Sequence, residues 1–322
     1  MRKSDLRLAN LQNANLNFAN LTEARLTGAM LKGTSLQGVT LVNYDFYSAN
    51  FKGINLKDAY LQNIRLDRAN LQGANFENAH LQKVNLGDTN LKNANFSNVR
   101  LDGVSLFSAN LQGTQFFDAQ GLTRNAIWKT ANWIFAYFDK KSLEAFGLPP
   151  DLQARVENKD MSDLNLHTIY FKNLNLQKFN FHKSNLHEAN FLEVELQDAD
   201  FSQANLNKAK MRGISGEVNL TGADLQQANI SYSKLARANL QKANLKRASL
   251  VEVDLRNANM AHANLSGVSF GNWVEIDGAN LEGADLRNAH IMNARGLTCK
   301  QIKQSIVNEE TRLPEYFDEC GH

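Results

Sequence analysis

Apolar side chains recur every five residues along the chain. Leu or Phe occupies every fifth position from Leu6 to Phe116, which makes twenty-three repeats in one phase. Ala usually stands two residues before each of them and Asn one residue before, so the unit reads Ala-Asn-Leu-x-x. On an α-helix these positions would mark no face, and on a straight strand they would alternate between the two faces. The period therefore fits neither regular element.

A chain that turns a corner once per repeat resolves this conflict. Ala and Leu, two residues apart, then share the inner side of a short extended segment. Twelve of the nineteen glycines stand two residues after the central Leu or Phe, where a corner needs backbone freedom. We therefore expect one short strand and one corner in each repeat.

The spacing of the large residues predicts how many sides the coil has. Phe76, Phe96 and Phe116 are twenty residues apart. A second twenty-residue series fills the small inner position with Tyr44, Ile64, Val84 and Val104. A coil of four repeats would stack these residues in columns, so the sequence predicts a four-sided coil of about 20 residues.

With this unit the chain resembles the pentapeptide-repeat proteins. The resemblance covers most of the chain and implies an all-β fold of right-handed quadrilateral β-helices, with Leu or Phe and Ala pointing inward. It implies little about function, because the repeat is a packing rule.

Interruptions of the repeat predict the domain organisation. The first β-helix is expected over residues 1–120 and a helical linker or cap over 121–160, with its main helix over 125–138. Short helices are expected near 142–146 and 151–157.

The second β-helix is expected over residues 161–295. Its phase changes by one residue twice, so we expect a bulge or loop at 212–217 and another at 271–275. A helical cap and tail should follow over 296–322, with a capping box formed by Thr298 and Gln301.

Motifs for catalysis are missing from the sequence. It contains no phosphate-binding Gly loop and no dinucleotide fingerprint, so we expect a non-enzymatic protein without a cofactor. His167 and His187 are twenty residues apart and should stack, with His182 around the next corner. Because zinc sites normally use three or four protein ligands, we interpret them as surface residues and expect no metal.

Charge bears on two alternatives to a protein-binding role. Some pentapeptide-repeat proteins imitate duplex DNA and protect DNA gyrase from quinolones, and such a mimic needs a dense acidic surface. Residues 1–120 instead carry twelve Lys or Arg and nine Asp or Glu, and the whole chain has a net charge of +2. The second block has one acidic cluster, which consists of Glu188, Glu193, Glu195, Asp198 and Asp200. The gyrase-binding mimic is therefore the second hypothesis.

A basic rod that binds nucleic acid is the third hypothesis and the less expected one. It would use a group of basic residues near Tyr232, namely Lys234, Arg237, Lys242, Lys246 and Arg247. A solvated basic face is the more common explanation of such a group.

Outward aromatic and apolar residues give the main hypothesis, a scaffold that binds an unknown protein partner. The repeat surface is mostly Asn, Gln, Lys and Asp, so the exceptions define a candidate protein-binding patch. Its members are Val42, Tyr60, His80 and Arg100 on one side and Tyr47 and Phe107 on the adjoining side.

The N-terminal end suggests either a frayed first coil, made tolerable by the charged residues Arg2, Lys3, Asp5 and Arg7, or a head-to-head homodimer. Only five residues precede the first coil, so its inner residues would be exposed at an uncovered end. This candidate dimer end consists of Leu6, Leu11, Leu16 and Leu21.

Composition and termini bear on location. The chain enters the repeat directly at its N-terminus, so we expect no signal peptide. The longest apolar run, from Trp133 to Phe138, is too short to cross a bilayer. Cys299 and Cys320 do not make a disulfide framework. These features predict a cytoplasmic protein without membrane contact.

Overall fold

The computed structural model describes residues 1–320, which form stacked coils of parallel strands. The chain divides into two compact units between Ala154 and Arg155. The domain boundaries expected from the sequence remain a prediction.

Unit 1 consists of twenty-residue coils that pair in parallel register. Asn70 pairs with Asn90 and Asn90 with Asn110, each twenty residues further along. The N–H of Leu91 donates to the carbonyl of Asn110 at 3.0 Å. The strands are β1 (Thr40–Val42), β2 (Tyr60–Gln62), β3 (His80–Gln82), β4 (Arg100–Asp102), β5 (Gln115–Phe116) and β6 (Tyr137–Phe138). The helices are α1 (Arg124–Trp128) and α2 (Lys140–Phe146), and Trp133–Phe135 is a short 3-10 helix. Helix α3 (Leu152–Glu157) contains the boundary between the two units.

Large side chains fill the inside of the coils in columns. Phe76, Phe96 and Phe116 are fully buried, and their successive ring centroids lie 4.5 and 5.3 Å apart. This confirms the four-sided coil, because residues four repeats apart stack on one another in it. Each aromatic pair stabilises the fold by ~0.5–1.5 kcal/mol beyond the contribution of the apolar area that its rings bury.

The corners of the coil are of two kinds. Where the inner residue before the next strand is Ala69, its N–H donates to the carbonyl of Leu66 at 3.0 Å, and Arg68 between them has a positive φ. This is the geometry of a type II turn. After β2 and β3 the inner residues are Ile64 and Val84, and in the described chain no such turn bond forms there. The backbone stays extended, so the three-residue strands lie on this side.

The predicted helix over 125–138 is wrong. Helix α1 ends at Trp128, and Asn132 adopts a left-handed conformation that no helix could continue through. Ala131 then pairs with Asn110, and β6 pairs with β5. Since the last coil would otherwise present unpaired main-chain groups, pairing along this edge overrides the helical pattern of apolar residues. The short helices expected at 142–146 and 151–157 are confirmed as α2 and α3.

Unit 2 repeats the architecture with two changes of register. Glu195 pairs with Ser215 twenty residues on, whereas Asp200 pairs with Asn219, so one residue is missing from that coil. Leu250 pairs with Phe270, but Val253 pairs with Val274, so one residue is added. Both changes fall where the phase of the sequence predicts them. The strands are β7 (Tyr170–Lys172), β8 (Asn190–Leu192), β9 (Lys210–Arg212), β10 (Asn229–Lys234), β11 (Ser249–Asp254), β12 (Ser269–Phe270), β13 (Val274–Glu275) and β14 (Ala294–Arg295).

The described part of unit 2 finishes with helix α4 (Cys299–Lys303) and a 3-10 helix over Glu315–Cys320. The capping box of Thr298 and Gln301 is present. Within the cap expected over 296–322, helix α4 is only five residues long, and Ile306 beyond it pairs with Asp285. The C-terminal tail at 321–322 lies outside the described residues.

Both units end in the same way. Ala131 and Tyr137 pair with residues 21 and 22 positions earlier, and Ile306 and Arg312 pair at the same two separations. Gly121 precedes the first of these segments with a φ of 80°, and a Cβ there would collide with the carbonyl oxygen of Leu101. The equivalent glycine of unit 2 has a φ of 72°. The equal spacing supports two copies of one module.

One expectation about the cysteines is corrected. Cys299 is disulfide-bonded in the structure, so cysteine usage no longer favours a reducing compartment, and the cytoplasmic location stays a prediction. No helix within residues 1–320 has the length and apolar character of a membrane span.

The packing of the inner columns predicts that Leu86→Lys unfolds unit 1. Leu86 is 0% exposed and stands in one column with Leu66 and Leu106, so its replacement buries a charge without a partner. We expect a loss of more than about 4 kcal/mol. Thermal unfolding followed by far-UV circular dichroism measures it. Gln112→Lys, at an exposed position, is the control and should melt like the wild type; a wild-type melting curve for Leu86→Lys would show that Leu86 does not point inward.

Candidate functional site

The outer face of strands β1 to β4 brings three of the predicted patch residues together. Tyr60, His80 and Arg100 occupy one register column on successive strands. The rings of Tyr60 and His80 pack edge to face with centroids 5.1 Å apart. We call this column the aromatic ladder.

Polar partners hold the aromatic ladder in place. His80 Nε2 lies 2.7 Å from Asp102 Oδ2, and Arg100 Nε lies 2.8 Å from the same oxygen. The hydrogen bond to His80 and the neighbouring Arg100 guanidinium lower the pKa of the Asp102 carboxyl. The Tyr60 hydroxyl donates to Gln82 Oε1 at 2.8 Å. The ladder is thus a fixed surface rather than a set of free side chains.

The other three patch residues do not join the ladder. Val42 lies in the neighbouring column, which continues through residues 62, 82 and 102. The guanidinium of Arg65 lies over the Tyr47 ring at 4.4 Å. Phe107 is 58% exposed and lies three coils beyond Tyr47 in the repeat. The predicted patch is therefore divided into the ladder, a Tyr47 site and an isolated Phe107.

A gap in main-chain pairing lies beside Val42 and Tyr47. Between coil two (residues 21–40) and coil three (residues 41–60), the structure shows no hydrogen bond from the N–H groups of Leu26 and Leu31 to coil three. The equivalent N–H groups one coil later, on Phe46 and Phe51, donate to Arg65 and Asn70 at 2.7 and 2.8 Å. We call this gap the slot.

The slot covers two of the four sides of the coil. Pairing of coils two and three persists elsewhere, where Gly33 and Leu36 donate to Lys52 and Asn55 at 3.0 and 2.7 Å. Along the two open sides there are cavities of about 900 Å³ and 540 Å³, lined by residues of both coils. Ala29 and Ala49, at inner positions, are half-exposed there.

Tyr44 explains why the coils separate at this point. It holds the inner position that Ile64 and Val84 hold in later coils, and its ring stacks on Phe46 with centroids 5.4 Å apart. Its hydroxyl donates to the carbonyl oxygens of Leu21 at 2.6 Å and Ala24 at 3.1 Å. Burial raises the pKa of the Tyr44 phenol, so it stays a neutral donor. Phe179 holds the equivalent position in unit 2 between coils that stay paired, so a ring alone does not open the coils. The hydroxyl of Tyr44 instead takes the Ala24 carbonyl, to which the N–H of Asp45 would donate in the pairing pattern of later coils.

The candidate dimer end is only partly exposed. Leu6 and Leu11 are half-exposed, whereas Leu16 and Leu21 are buried by the coils beyond them. The main-chain N–H groups of Leu6 and Leu11 donate to coil two. The unpaired edge of coil one therefore consists of the main-chain groups that face away from coil two.

The charged clusters are spread around the coil. Glu188, Glu193 and Asp198 all have a positive φ and therefore stand on three successive corners. The basic group is spread in the same way, with Arg237, Lys242 and Arg247 at successive corners. Neither cluster forms a stripe along one face. In unit 1 several carboxylates are paired with neighbouring cations, as in Asp5–Arg7, Glu77–Lys57, Asp67–Arg65 and Asp102–Arg100.

The histidines of unit 2 behave as surface residues. His187 lies near Glu188, with Nε2 at 3.5 Å from the carboxylate, and His182 contacts Ser202 at 2.8 Å. Among residues 1–320 no group of three or more His, Cys, Asp or Glu side chains is arranged to hold a metal ion.

Two exposed aromatic residues of unit 2 stand out in the structure, of which Tyr232 was named beside the basic group and Trp273 was missed by the sequence analysis. Tyr232 is 53% exposed with Arg212 over its ring at 5.2 Å, and Trp273 is 50% exposed with Arg295 at 4.5 Å. Trp273 lies in the segment 271–273, where one residue is added to the repeat. An aromatic residue at such a change of phase was the feature of the sequence that could have identified it.

Five-residue repeats stacked in paired coils define a β-solenoid repeat protein. Proteins of this class bind other molecules through extended surfaces rather than pockets. The model for "Pentapeptide repeats" matches the sequence in eight copies, over residues 4–43, 49–88, 85–119, 165–203, 175–213 and 233–272. The chain belongs to the pentapeptide-repeat family. No curated protein matches the sequence significantly.

Solved pentapeptide-repeat structures are similar to the chain. HetL, involved in heterocyst differentiation regulation in the cyanobacterium Nostoc sp. strain PCC 7120, is 21% identical, with 81% of this chain and 88% of HetL covered and a TM-score of 0.22. Full-length QnrB1, a plasmid-mediated fluoroquinolone resistance protein, is 15% identical, with 88% and 95% covered and a TM-score of 0.20. Rfr23 from the cyanobacterium Cyanothece 51142 is 17% identical, with 50% and 96% covered and a TM-score of 0.17. Superpositions with such low scores carry no functional conclusion.

The role of Tyr44 predicts that Tyr44→Val stabilises unit 1. Val would let coils two and three pair, and each restored hydrogen bond contributes ~0.5–1.5 kcal/mol, so we expect a net gain of roughly 2 kcal/mol. Tyr44→Phe removes the hydrogen bonds to Leu21 and Ala24 and leaves a ring like that of Phe179, so it should also let the coils pair, with a smaller gain than Tyr44→Val. Equal destabilisation of both variants in chemical denaturation would show that Tyr44 does not hold the coils apart.

Proposed function

We propose that the chain is a non-enzymatic scaffold that binds a protein partner through the aromatic ladder and the adjoining residues Val42 and Tyr47. The observation that carries this proposal is the ladder itself, in which Tyr60, His80 and Arg100 stand on consecutive paired strands. Tyr and Arg are enriched at the centres of protein interfaces.

The rigidity of the ladder favours tight binding. Its side chains are already hydrogen-bonded or packed, so little rotamer freedom remains to be lost when a partner docks. Val42 and Tyr47, 38% and 42% exposed, extend the apolar area beyond the ladder. The partner is expected to present an apolar centre with an acidic rim, since Arg100 and Arg65 are exposed beside the aromatic rings.

The two other hypotheses have less support. A gyrase-binding DNA mimic needs an acidic stripe, and the acidic residues of unit 2 instead stand on three corners. The basic residues proposed for nucleic-acid binding are distributed in the same way, and Arg237 is paired with Glu217 at 3.1 Å.

The scaffold proposal is tested with a double variant, Tyr60→Asn with Arg100→Asn, in the full chain. A partner is first captured from the source cytoplasm and purified, and its affinity for the wild type is then measured by calorimetry. We expect the double variant to weaken binding at least about 100-fold, which corresponds to ~2.7 kcal/mol. Lys92→Asn, which removes a cation from another side, is the matched control and should bind normally. Unchanged affinity of the double variant would exclude the ladder as the binding surface.

We also propose a head-to-head homodimer through the N-terminal coil, in which Leu6 and Leu11 meet their equivalents across a two-fold axis. Sedimentation of the full chain at tens of micromolar should show a dimer, and Leu11→Arg should be a monomer. The melting curve of the variant shows whether it has stayed folded. A monomeric wild type under these conditions would rule the dimer out.

A further inference from the structure

We propose that the slot binds an extended peptide segment of a partner protein through main-chain hydrogen bonds. This deepens the proposed function, because it assigns a second and chemically different binding mode to the same scaffold. The occupant is a strand-like segment without charged side chains.

The main-chain groups that border the slot on coil two and on coil three provide hydrogen bonds for a peptide. On coil two the N–H groups of Leu26 and Leu31 have no acceptor across the slot, and on coil three the carbonyls of Asp45 and Asn50 receive no N–H from coil two, as far as the described chain shows. An extended peptide offers donors and acceptors in the same alternation, as in strand addition to a sheet edge.

Hydrogen bonds from these groups to water do not remove the advantage of binding an extended peptide. The side chains of Leu26 and Leu31 are 4% and 1% exposed, so their N–H groups lie at the edge of an apolar core rather than in open solvent. A hydrogen-bonding group in such surroundings gains more from a protein partner than a fully solvated one. The slot therefore favours a peptide main chain over an isolated polar molecule.

The shape of the slot sets the length of the segment. Its larger cavity, about 900 Å³, runs between residues 26–32 and 45–51, and the smaller one continues around the corner. One side of a coil is five residues long. At ~3.3 Å per residue, one side accepts about five residues of an extended chain and the whole slot about ten.

The side chains around the slot indicate the composition of the segment. The charged residues that line the slot are two acidic and two basic, namely Glu23, Asp45, Arg25 and Lys32. They therefore favour neither an acidic nor a basic peptide. Half-exposed Ala29 and Ala49 leave room only for small groups pointing inward. A repeat-like segment with small and apolar residues fits these conditions, and Tyr44 holds the coils apart to receive it.

The test uses a fluorescent peptide that carries residues 69–73, Ala-Asn-Leu-Gln-Gly, twice, with both ends blocked. Titration of the full chain and anisotropy should show saturable binding below about 1 mM. Tyr44→Val and Tyr44→Phe should each weaken binding at least about tenfold, because closed coils leave no slot, whereas the exposed control Gln112→Lys should bind like the wild type. A peptide with Pro in place of each Asn loses main-chain donors and should not bind.

The remaining outcomes separate this proposal from the scaffold proposal. The double variant Tyr60→Asn with Arg100→Asn leaves the slot intact and should bind the peptide normally. Absence of saturation with the wild type, equal binding to Tyr44→Val, equal binding of the Pro peptide, or loss of binding in the ladder variant would each overturn the assignment. None of these results bears on whether a folded partner docks on the ladder.

Discussion

Main-chain hydrogen bonds between successive coils, which pair residues twenty apart, are the constraint on which the structure depends. The N–H of Asn90 donates to Ala69 at 3.1 Å, and the N–H of Leu91 donates to Asn110 at 3.0 Å. This pairing fixes which side chains stack inside, and it places outer residues such as Tyr60 and His80 on neighbouring strands. Because the edge of a paired coil needs a partner, even the chain after the last repeat of each unit returns to pair with it.

This pairing is incomplete where the hydroxyl of the inner residue Tyr44 reaches into the preceding coil. Thr34 occupies an inner position, and its hydroxyl donates to the Leu11 carbonyl at 2.7 Å while the two coils stay paired around it. Tyr44 makes the same kind of bond to Leu21 from a much longer side chain. The coils then separate. A single inner residue thus produces an opening along two sides of the coil.

Much of the fold could be predicted from the sequence because the repeat acts locally. The column of Phe76, Phe96 and Phe116 follows from the twenty-residue period, and both register changes follow from the phase. The helix over 125–138 was predicted wrongly, since apolar spacing does not reveal that Ala131 completes a coil. The location of ladder residues followed from the same period.

Other parts of the candidate site could not be predicted. Tyr44 was recognised as an inner residue, but its consequence depends on which carbonyl oxygens its hydroxyl reaches. The separation of Phe107 from Tyr47, and the stacking of Arg295 on Trp273, depend on distances that a one-dimensional pattern does not contain.

Hydrogen exchange of individual amides tests the central claim most directly. Leu26, Leu31, Phe46 and Phe51 hold equivalent positions in neighbouring coils and have similarly buried side chains, but only the last two donate main-chain hydrogen bonds. In the wild type, the amides of Leu26 and Leu31 should exchange at least about 100-fold faster than those of Phe46 and Phe51. Equal protection of all four amides would show that coils two and three are paired, and would contradict both the slot and the role assigned to Tyr44.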